Sequence, residues 1–232
     1  MTTTLEFALP DGSTRTVKVT RLLNAGYTGR AQDEVAAHVA ELAELGVPAP
    51  SVIPALYPVA PYLAAQVDVV PAQHARTSGE AEWALVVGDD PADPLLTVAC
   101  DHTDRALEVH GVAWSKNASL DVLGAGAWRL AEIADHLDAI RLKAWVRHGS
   151  NGAEQLVQDA ALAALLPPTY WLDVLSERGW LVPGTVLLSG TVAMIPGVDQ
   201  FADGWRVELH DPVTERSLSL GYAVDRLPEP IG

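Results

Sequence analysis

Ser78-Gly79-Glu80-Ala81-Glu82-Trp83-Ala84-Leu85-Val86-Val87-Gly88 is the stretch on which the reading of this chain turns. Side chains alternate faces along a β-strand, so Glu80 and Glu82 project the same way. Trp83 to Val87 is apolar on both faces, which marks a buried strand and not a sheet edge. Two like charges entering such a strand repel, and burying either alone is costly. The pair therefore wants a cation between its carboxylates. Spacing alone also fits a solvated strand face, so the surrounding sequence has to decide. The next apolar run is Leu95-Leu96-Thr97-Val98-Ala99-Cys100-Asp101-His102-Thr103-Asp104-Arg105, which puts Asp101 near a strand end as a third oxygen ligand. Three carboxylates suit Mg²⁺ or Mn²⁺, with Ca²⁺ as a substitute, better than zinc.

The remaining composition narrows the class of function. A chain of 232 residues, 49% hydrophobic and 19% charged, is globular and long enough for a substantial core. Its net charge is −15, from 30 acidic and 15 basic residues, and no basic run interrupts that excess. Phosphate backbones and anionic lipid surfaces are repelled by such a chain, so neither nucleic acid nor membrane is an expected partner. No segment reaches the roughly 20 apolar residues that span a bilayer, and the start Met1-Thr-Thr-Thr-Leu-Glu does not resemble a signal peptide. The single cysteine excludes an internal disulfide framework and fits a cytoplasmic location.

Along the chain, Leu5–Leu9 and Thr14–Val19 alternate about an Asp11-Gly12 turn and predict a hairpin. Val35, Val39, Leu42 and Leu45 recur at helical spacing up to Gly46-Val-Pro48-Ala-Pro50, and a proline-rich extended arm follows. Ala106 to Trp114 reads as a strand, then a loop carries Lys116, Asp121 and Gly124-Ala-Gly126. Leu130, Ile133, Leu137 and Ile140 mark a helix, Ala153 to Leu166 a buried helix stopped by Pro167-Pro168, and Tyr170 to Arg178 a short helix. Strands are expected at 185–188, 205–209 and 217–224. The pattern is α+β with strands dominant, and no composition break marks a linker. One domain over 1–232 is expected, with 1–65 packed as hairpin, helix and arm on a core over 66–232.

With Glu80-x-Glu82 and Asp101-His-Thr103-Asp-Arg105 in view, the chain resembles the fumarylacetoacetate hydrolase superfamily. Its pattern there is Glu-Val-Glu-Leu-Ala-Val-Val-Ile-Gly, then Asn-Asp-Val-Thr-Ala-Arg-Asp. Upstream, His38-Val-Ala-Glu41 and Gly46-Val-Pro48-Ala-Pro50 are similar to the family's His-x-x-Glu and Gly-x-Pro-x-Pro segments. Downstream, Lys116 and Val182-Pro-Gly184-Thr-Val-Leu-Leu-Ser-Gly190-Thr191 match its lysine loop and Leu-Lys-Pro-Gly-Asp-x-Ile-x-Thr-Gly-Thr. Within the superfamily the chain looks most like a bacterial branch catalogued as domain of unknown function 2848. Cys100 stands where the family has Asn, Glu108 where it usually has Gln, and the segment from Lys116 to Asp121 is a residue longer.

The resemblance implies a mixed β-sheet roll of the fumarylacetoacetate hydrolase C-terminal-domain type with a few peripheral helices. It also implies a homodimer and one Mg²⁺ or Mn²⁺ held by Glu80, Glu82 and Asp101. The implied substrate is a small 2-oxo acid, and the implied reaction is hydrolysis of a C–C bond in an acylpyruvate-like 1,3-dicarbonyl acid. His38, oriented by Glu41 one helical turn away, is the expected base for water, and Lys116 the expected cation beside an enolate oxygen. Arg105, Gly190 and Thr191 are expected around the substrate carboxylate. Decarboxylation or tautomerisation on the same site is the alternative, as is a non-catalytic, metal-stabilised binding protein. For His38 and Glu41 the plain alternative is a solvated helix face, and for Arg105 an ion pair with Asp104 or Glu108.

Overall fold

A computed structural model of the chain describes residues 2–31, 33, 35–37, 39, 40, 50 and 52–231. Its strands are β1 (Thr3–Ala8), β2 (Thr14–Val19), β3 (Arg21–Gly26), β4 (Ala55–Val59), β5 (Ala64–Ala65), β6 (Val69–Ala72) and β7 (Thr77–Val86). They continue with β8 (Leu95–Asp104), β9 (Asp121–Arg129), β10 (Arg141–Arg147), β11 (Gln155–Ala161), β12 (Thr185–Leu188), β13 (Gly204–Asp211) and β14 (Arg216–Arg226). The larger sheet runs β2-β1-β9-β8-β7-β12-β3-β4, with β5 against β9, and the smaller runs β11-β10-β13-β14-β6. The larger sheet is mixed: β1–β9, β5–β9 and β12–β3 are parallel, whereas β7 pairs antiparallel with both β8 and β12.

Strand β7 sits between β8 and β12 and is buried on both sides, as its double-faced apolar run predicts. Ala81, Trp83 and Leu85 face the smaller sheet, packing in one core with Leu96, Val98, Val207 and Leu209. Ala84 and Val86 point the other way, into a second core with Leu5, Phe7, Leu95 and Ala99. Glu80 and Glu82 are in phase with Ala84 and Val86, so both carboxylates extend that second core at one end. Glycine at 79 has a packing reason. A Cβ there would stand 2.6 Å from the Trp205 ring and 2.8 Å from Cys100 Sγ.

The larger sheet is rolled, and one hydrogen bond shows how far. Asn24 on β3 donates through Nδ2 to Asp121 Oδ1 on β9 at 3.2 Å. Those strands are four places apart in the sheet, a separation of about 19 Å if it were flat. Only a curl that turns their shared face inward brings the two side chains into contact. The second core and the acidic residues lie inside that curl.

The sheets are also tied by buried polar groups. His102 bonds through Nδ1 to the Tyr222 hydroxyl at 2.9 Å and through Nε2 to Thr77 Oγ1 at 3.0 Å. Cys100 Sγ lies 3.2 Å from the same Tyr222 oxygen. Burial lowers the His102 pKa from 6.5 to about 4, with Arg105 adding to it, so the folded protein holds this imidazole neutral. Because the folded value lies below the unfolded one, stability is complete above pH 6.5 and drains away as pH falls toward 4. The full difference is about 3 kcal/mol. Urea midpoints at pH 7.5 and 4.5 check it: His102→Gln should lose about 2 kcal/mol less than the wild type over that interval, and equal losses would refute the assignment.

The hairpin, the helix Pro168–Glu177 with Gly179 beyond it at φ +65°, and the last strands fall where expected. Residues 33, 35–37, 39 and 40 are helical with Val35 buried, whereas Leu42 and Leu45 lie outside the described residues. Four expectations are corrected: the loop expected to carry Lys116, Asp121 and Gly124-Ala-Gly126 is instead the end of a short helix and the strand β9. Residues 106–114 are not a strand: Asp104 accepts the Ala106 and Leu107 amides at 3.0 and 3.1 Å and starts the helix Arg105–Glu108, followed by Val112–Lys116. The expected helix at 153–166 is strand β11, because pairing with β10 overrides the helical preference of its alanines. The 130–140 helix breaks after Ile133 into a 3₁₀ segment, Ala134–Ala139. Among the described residues no helix is long and apolar enough to cross a membrane.

Candidate metal centre and cavity

Antiparallel register sets Glu80 directly opposite Asp101, and Asp101 opposite Asp121 on the next strand. Glu80, Glu82 and Asp101 each place a carboxylate oxygen within 4.8 Å of the other two. Glu82 and Asp101 are buried, and the Glu80 side chain is 13% exposed.

Two cations are built into this acidic group. Lys116, the last residue of its short helix, donates to Glu80 Oε2 at 3.2 Å and makes a close ion pair with Asp101. Arg105 donates to Glu80 Oε1 at 2.8 Å, to both Glu108 oxygens at 3.1 and 3.2 Å, and to Ser78 Oγ at 2.9 Å. Burial alone would push the Glu80 carboxyl up, but Arg105 and Lys116 outweigh it and hold it down at about 2. The Lys116 ammonium is lowered by burial yet driven well above its ordinary value by Asp101, Glu80 and Glu82, so it stays charged. Glu82 is the opposite case. Burial pushes its carboxyl well up, and the charges of Asp101 and Glu80 add to this against the pull of Lys116.

The donor set fits a divalent cation. Glu82 Oε1 is buried and accepts no hydrogen bond among the described residues, an expensive state for a carboxylate oxygen without a cation. With Glu82 ionised, Glu80, Glu82, Asp101 and Glu108 outnumber Arg105 and Lys116 by two charges, the charge one Mg²⁺ or Mn²⁺ brings. Hard, all-oxygen ligands suit those ions.

Two residues of the centre escaped the sequence reading. Asp121 is no loop residue; it opens β9 fully buried, and its carboxyl is pushed well up by burial and then by Asp101, so it stays protonated. Asn24, also buried, fixes Asp121 from across the roll. Each is a polar residue bordering apolar strand residues, a signal akin to the one that singled out Asp101.

A cavity of about 690 Å³ opens onto Glu80 and Lys116 and is walled by residues including Tyr27, Tyr57, Glu108, Gly190 and Thr191. Gly190, at φ +79°, donates its N–H to Glu82 Oε2 at 2.7 Å; a Cβ there would meet Thr28 Oγ1 at 2.4 Å. The Thr191 hydroxyl donates to the Ala81 carbonyl and accepts from Gln158 Nε2, both at 2.8 Å. Gly190, Thr191 and Arg105 are thus gathered at the site, with these donors spent on the protein itself: on Glu82, on strand β7, and on Glu80 and Glu108. His38 and Glu41 lie outside the described residues.

No curated protein matches the sequence. Among solved structures, Cg1458 is similar at a TM-score of 0.62 and 16% identity, covering 98% of this chain and 100% of that one. A second is 2-keto-3-deoxy-D-arabinonate dehydratase complexed with magnesium and 2,5-dioxopentanoate, at a TM-score of 0.62 and 16% identity over 93% of this chain and 77% of that one. At such identity the likeness speaks for the fold, which is of the fumarylacetoacetate hydrolase type. The sequence match is firmer: residues 25–222 correspond to the family described as "Protein of unknown function (DUF2848)", and the chain belongs to that family.

Proposed function

We propose that this protein is a divalent-metal-dependent enzyme that cleaves a C–C bond in an acylpyruvate-like 2-oxo acid through an enolate. The observation that carries the reading is the buried cluster of Glu80, Glu82 and Asp101, with Glu82 Oε1 lacking any hydrogen-bond donor, beside Lys116 in the wall of a substrate-sized cavity. Glu80, Glu82 and Asp101 would hold Mg²⁺ or Mn²⁺. When bound, the ion supplies positive charge for the carboxylate and adjacent carbonyl of the substrate. The magnesium and 2,5-dioxopentanoate in the dehydratase of similar fold support this choice of ion and ligand class.

The protein's own groups then have separate tasks. Lys116, locked as an ammonium, is no base; it offers fixed positive charge where an enolate oxygen develops. Arg105 pins Glu80 so that its carboxylate stays ionised and oriented. His38, oriented by Glu41, takes a proton from water as its oxygen adds to the distal carbonyl. The C–C bond breaks, a carboxylic acid leaves from the distal side, and the bonding pair passes to the pyruvyl enolate, which is then protonated. Without delivered water the same charge arrangement serves a lyase or isomerase. The dehydratase similarity favours keeping that as the second reading. A soluble cytoplasmic homodimer completes the proposal.

Oxalate, an enolate mimic with no tail, tests the centre. Melting curves should rise with oxalate only when Mg²⁺ or Mn²⁺ is present. A rise with metal but no response to oxalate would leave a closed, structural ion site. Indifference to both would remove the enzyme reading.

A further inference from the structure

The wall of the same cavity carries two phenols. Tyr27 and Tyr57 both line it, both are half-buried, and neither hydroxyl has a hydrogen-bond partner among the described residues. Tyr27 also has φ +60°, a left-handed conformation that a bulky side chain rarely adopts. Its turn is pinned on the C-terminal side, where Leu166 N donates to Thr28 O at 2.9 Å and Arg30 N to Ala164 O at 2.8 Å. Strain held in place by its surroundings in a cavity wall is a mark of function. Gly26, next to it, makes room for the neighbouring ring: a Cβ there would stand 2.9 Å from Tyr57 Cε2.

The charges of the wall narrow what the tyrosines can meet. Glu80 and Glu108 line the cavity and share Arg105 between them, so that guanidinium is spent there. The wall's two basic residues among those described are already paired. Lys116 is held by Asp101 and Glu80, and Arg30 by Asp138 at 2.8 Å through two nitrogens and by the Leu165 carbonyl at 3.0 Å. No described cation is left for a second anionic group. Most of the remaining wall is alanine, glycine and valine. Burial raises both phenols, Tyr57 to about 12 with Tyr27 adding to it, so each keeps its proton to donate.

We propose that Tyr27 and Tyr57 are the specificity-determining pair of this cavity, and that they select a substrate whose distal end is an apolar body bearing a neutral hydroxyl or carbonyl, not a second carboxylate or a phosphate. This rests on the 2-oxo acid reading of the metal end. The two phenols donate to the neutral oxygen; a distal anion would find no free cation among the described wall residues and lose affinity.

Calorimetric binding in saturating Mn²⁺ tests it with four probes: oxalate, 2-oxohexanoate, 6-hydroxy-2-oxohexanoate and 2-oxoadipate. The hydroxylated acid should bind about tenfold tighter than the alkyl acid, and 2-oxoadipate at least about tenfold weaker. With affinities normalised to oxalate, the hydroxyl preference should fall to within about twofold in the Tyr27→Phe/Tyr57→Phe double variant. If 2-oxoadipate binds as well as 2-oxohexanoate, or the hydroxyl preference survives in the double variant, the proposal is overturned while oxalate binding still upholds the 2-oxo acid reading. A wild type blind to oxalate overturns both. The wild-type series decides the substrate class even where the double variant fails to fold.

Discussion

Replacing Lys116 by methionine lowers the melting temperature by roughly 10 °C in metal-free buffer at pH 8, and Mn²⁺ then restores more stability to the variant than it adds to the wild type. The expectation follows from the position of the ammonium between Glu80 and Asp101, all but excluded from water. Deleting one partner of a buried charge group strands the other, at a cost of about 3–5 kcal/mol in comparable cases. Carboxyls left behind can take up protons, which trims the loss to on the order of 3 kcal/mol. In a chain of this size that corresponds to about 6–12 °C. Methionine keeps the apolar stem, so lost packing contributes little. A divalent ion meets a more negative site in the variant and therefore contributes more on binding. Turnover should be lost even in saturating metal, because the charge beside the enolate oxygen is gone. Differential scanning fluorimetry with and without chelator is sufficient. A variant that melts with the wild type in chelator would show that Lys116 does not balance the acidic group.

How much of this was visible in the sequence depends on whether the signal was local. Glu80 and Glu82 announce themselves by alternation within one strand, and Asp101 by closing the next apolar run. Their meeting requires only the simplest antiparallel pairing of β7 with β8. Lys116 is different. Its approach to Asp101 depends on two short helices between β8 and β9, and the first is set by the Asp104 cap, a three-residue signal masked by the apolar Val109 to Trp114. Asn24 and Asp121 are further still, since they touch only because the sheet rolls through four strand positions. Nothing within either segment encodes that approach. The strand β11 was lost for a related reason: alanine and leucine favour helix locally, and its pairing with β10 is fixed from outside. Arg105 shows the limit of reading roles from type. An arginine four residues after a ligand suits a substrate carboxylate, yet here it closes a clamp from Ser78 through Glu80 to Glu108.

Glu82→Gln should have effects of opposite sign with and without metal. In the wild type Glu82 is buried, its Oε2 takes the Gly190 N–H at 2.7 Å, and its Oε1 has no donor. Its carboxyl is driven well up by burial first and by Asp101 and Glu80 beyond that, so without a cation the ionised form is disfavoured. The neutral, isosteric glutamine keeps the acceptor for Gly190 and reproduces the uncharged state that the cation-free site favours. Chelator-treated variant should therefore melt at or slightly above the wild type. Metal binding reverses the comparison. One of three carboxylate ligands is lost, together with one of the two charges a divalent ion would neutralise, and affinity should fall by about 100-fold or more. At a metal concentration that stabilises the wild type by about 2.7 kcal/mol, the variant should gain less than about 0.5 kcal/mol. Calorimetric titration of Mn²⁺ into both proteins gives the affinities directly, and melts in chelator give the other half. A variant that binds Mn²⁺ like the wild type would take Glu82 out of the ligand set. One that collapses in chelator would mean that Glu82 is held there for structure, as an ionised partner of Lys116, and that its charge is not reserved for an ion. The two signs together separate a residue kept for binding from one kept for folding.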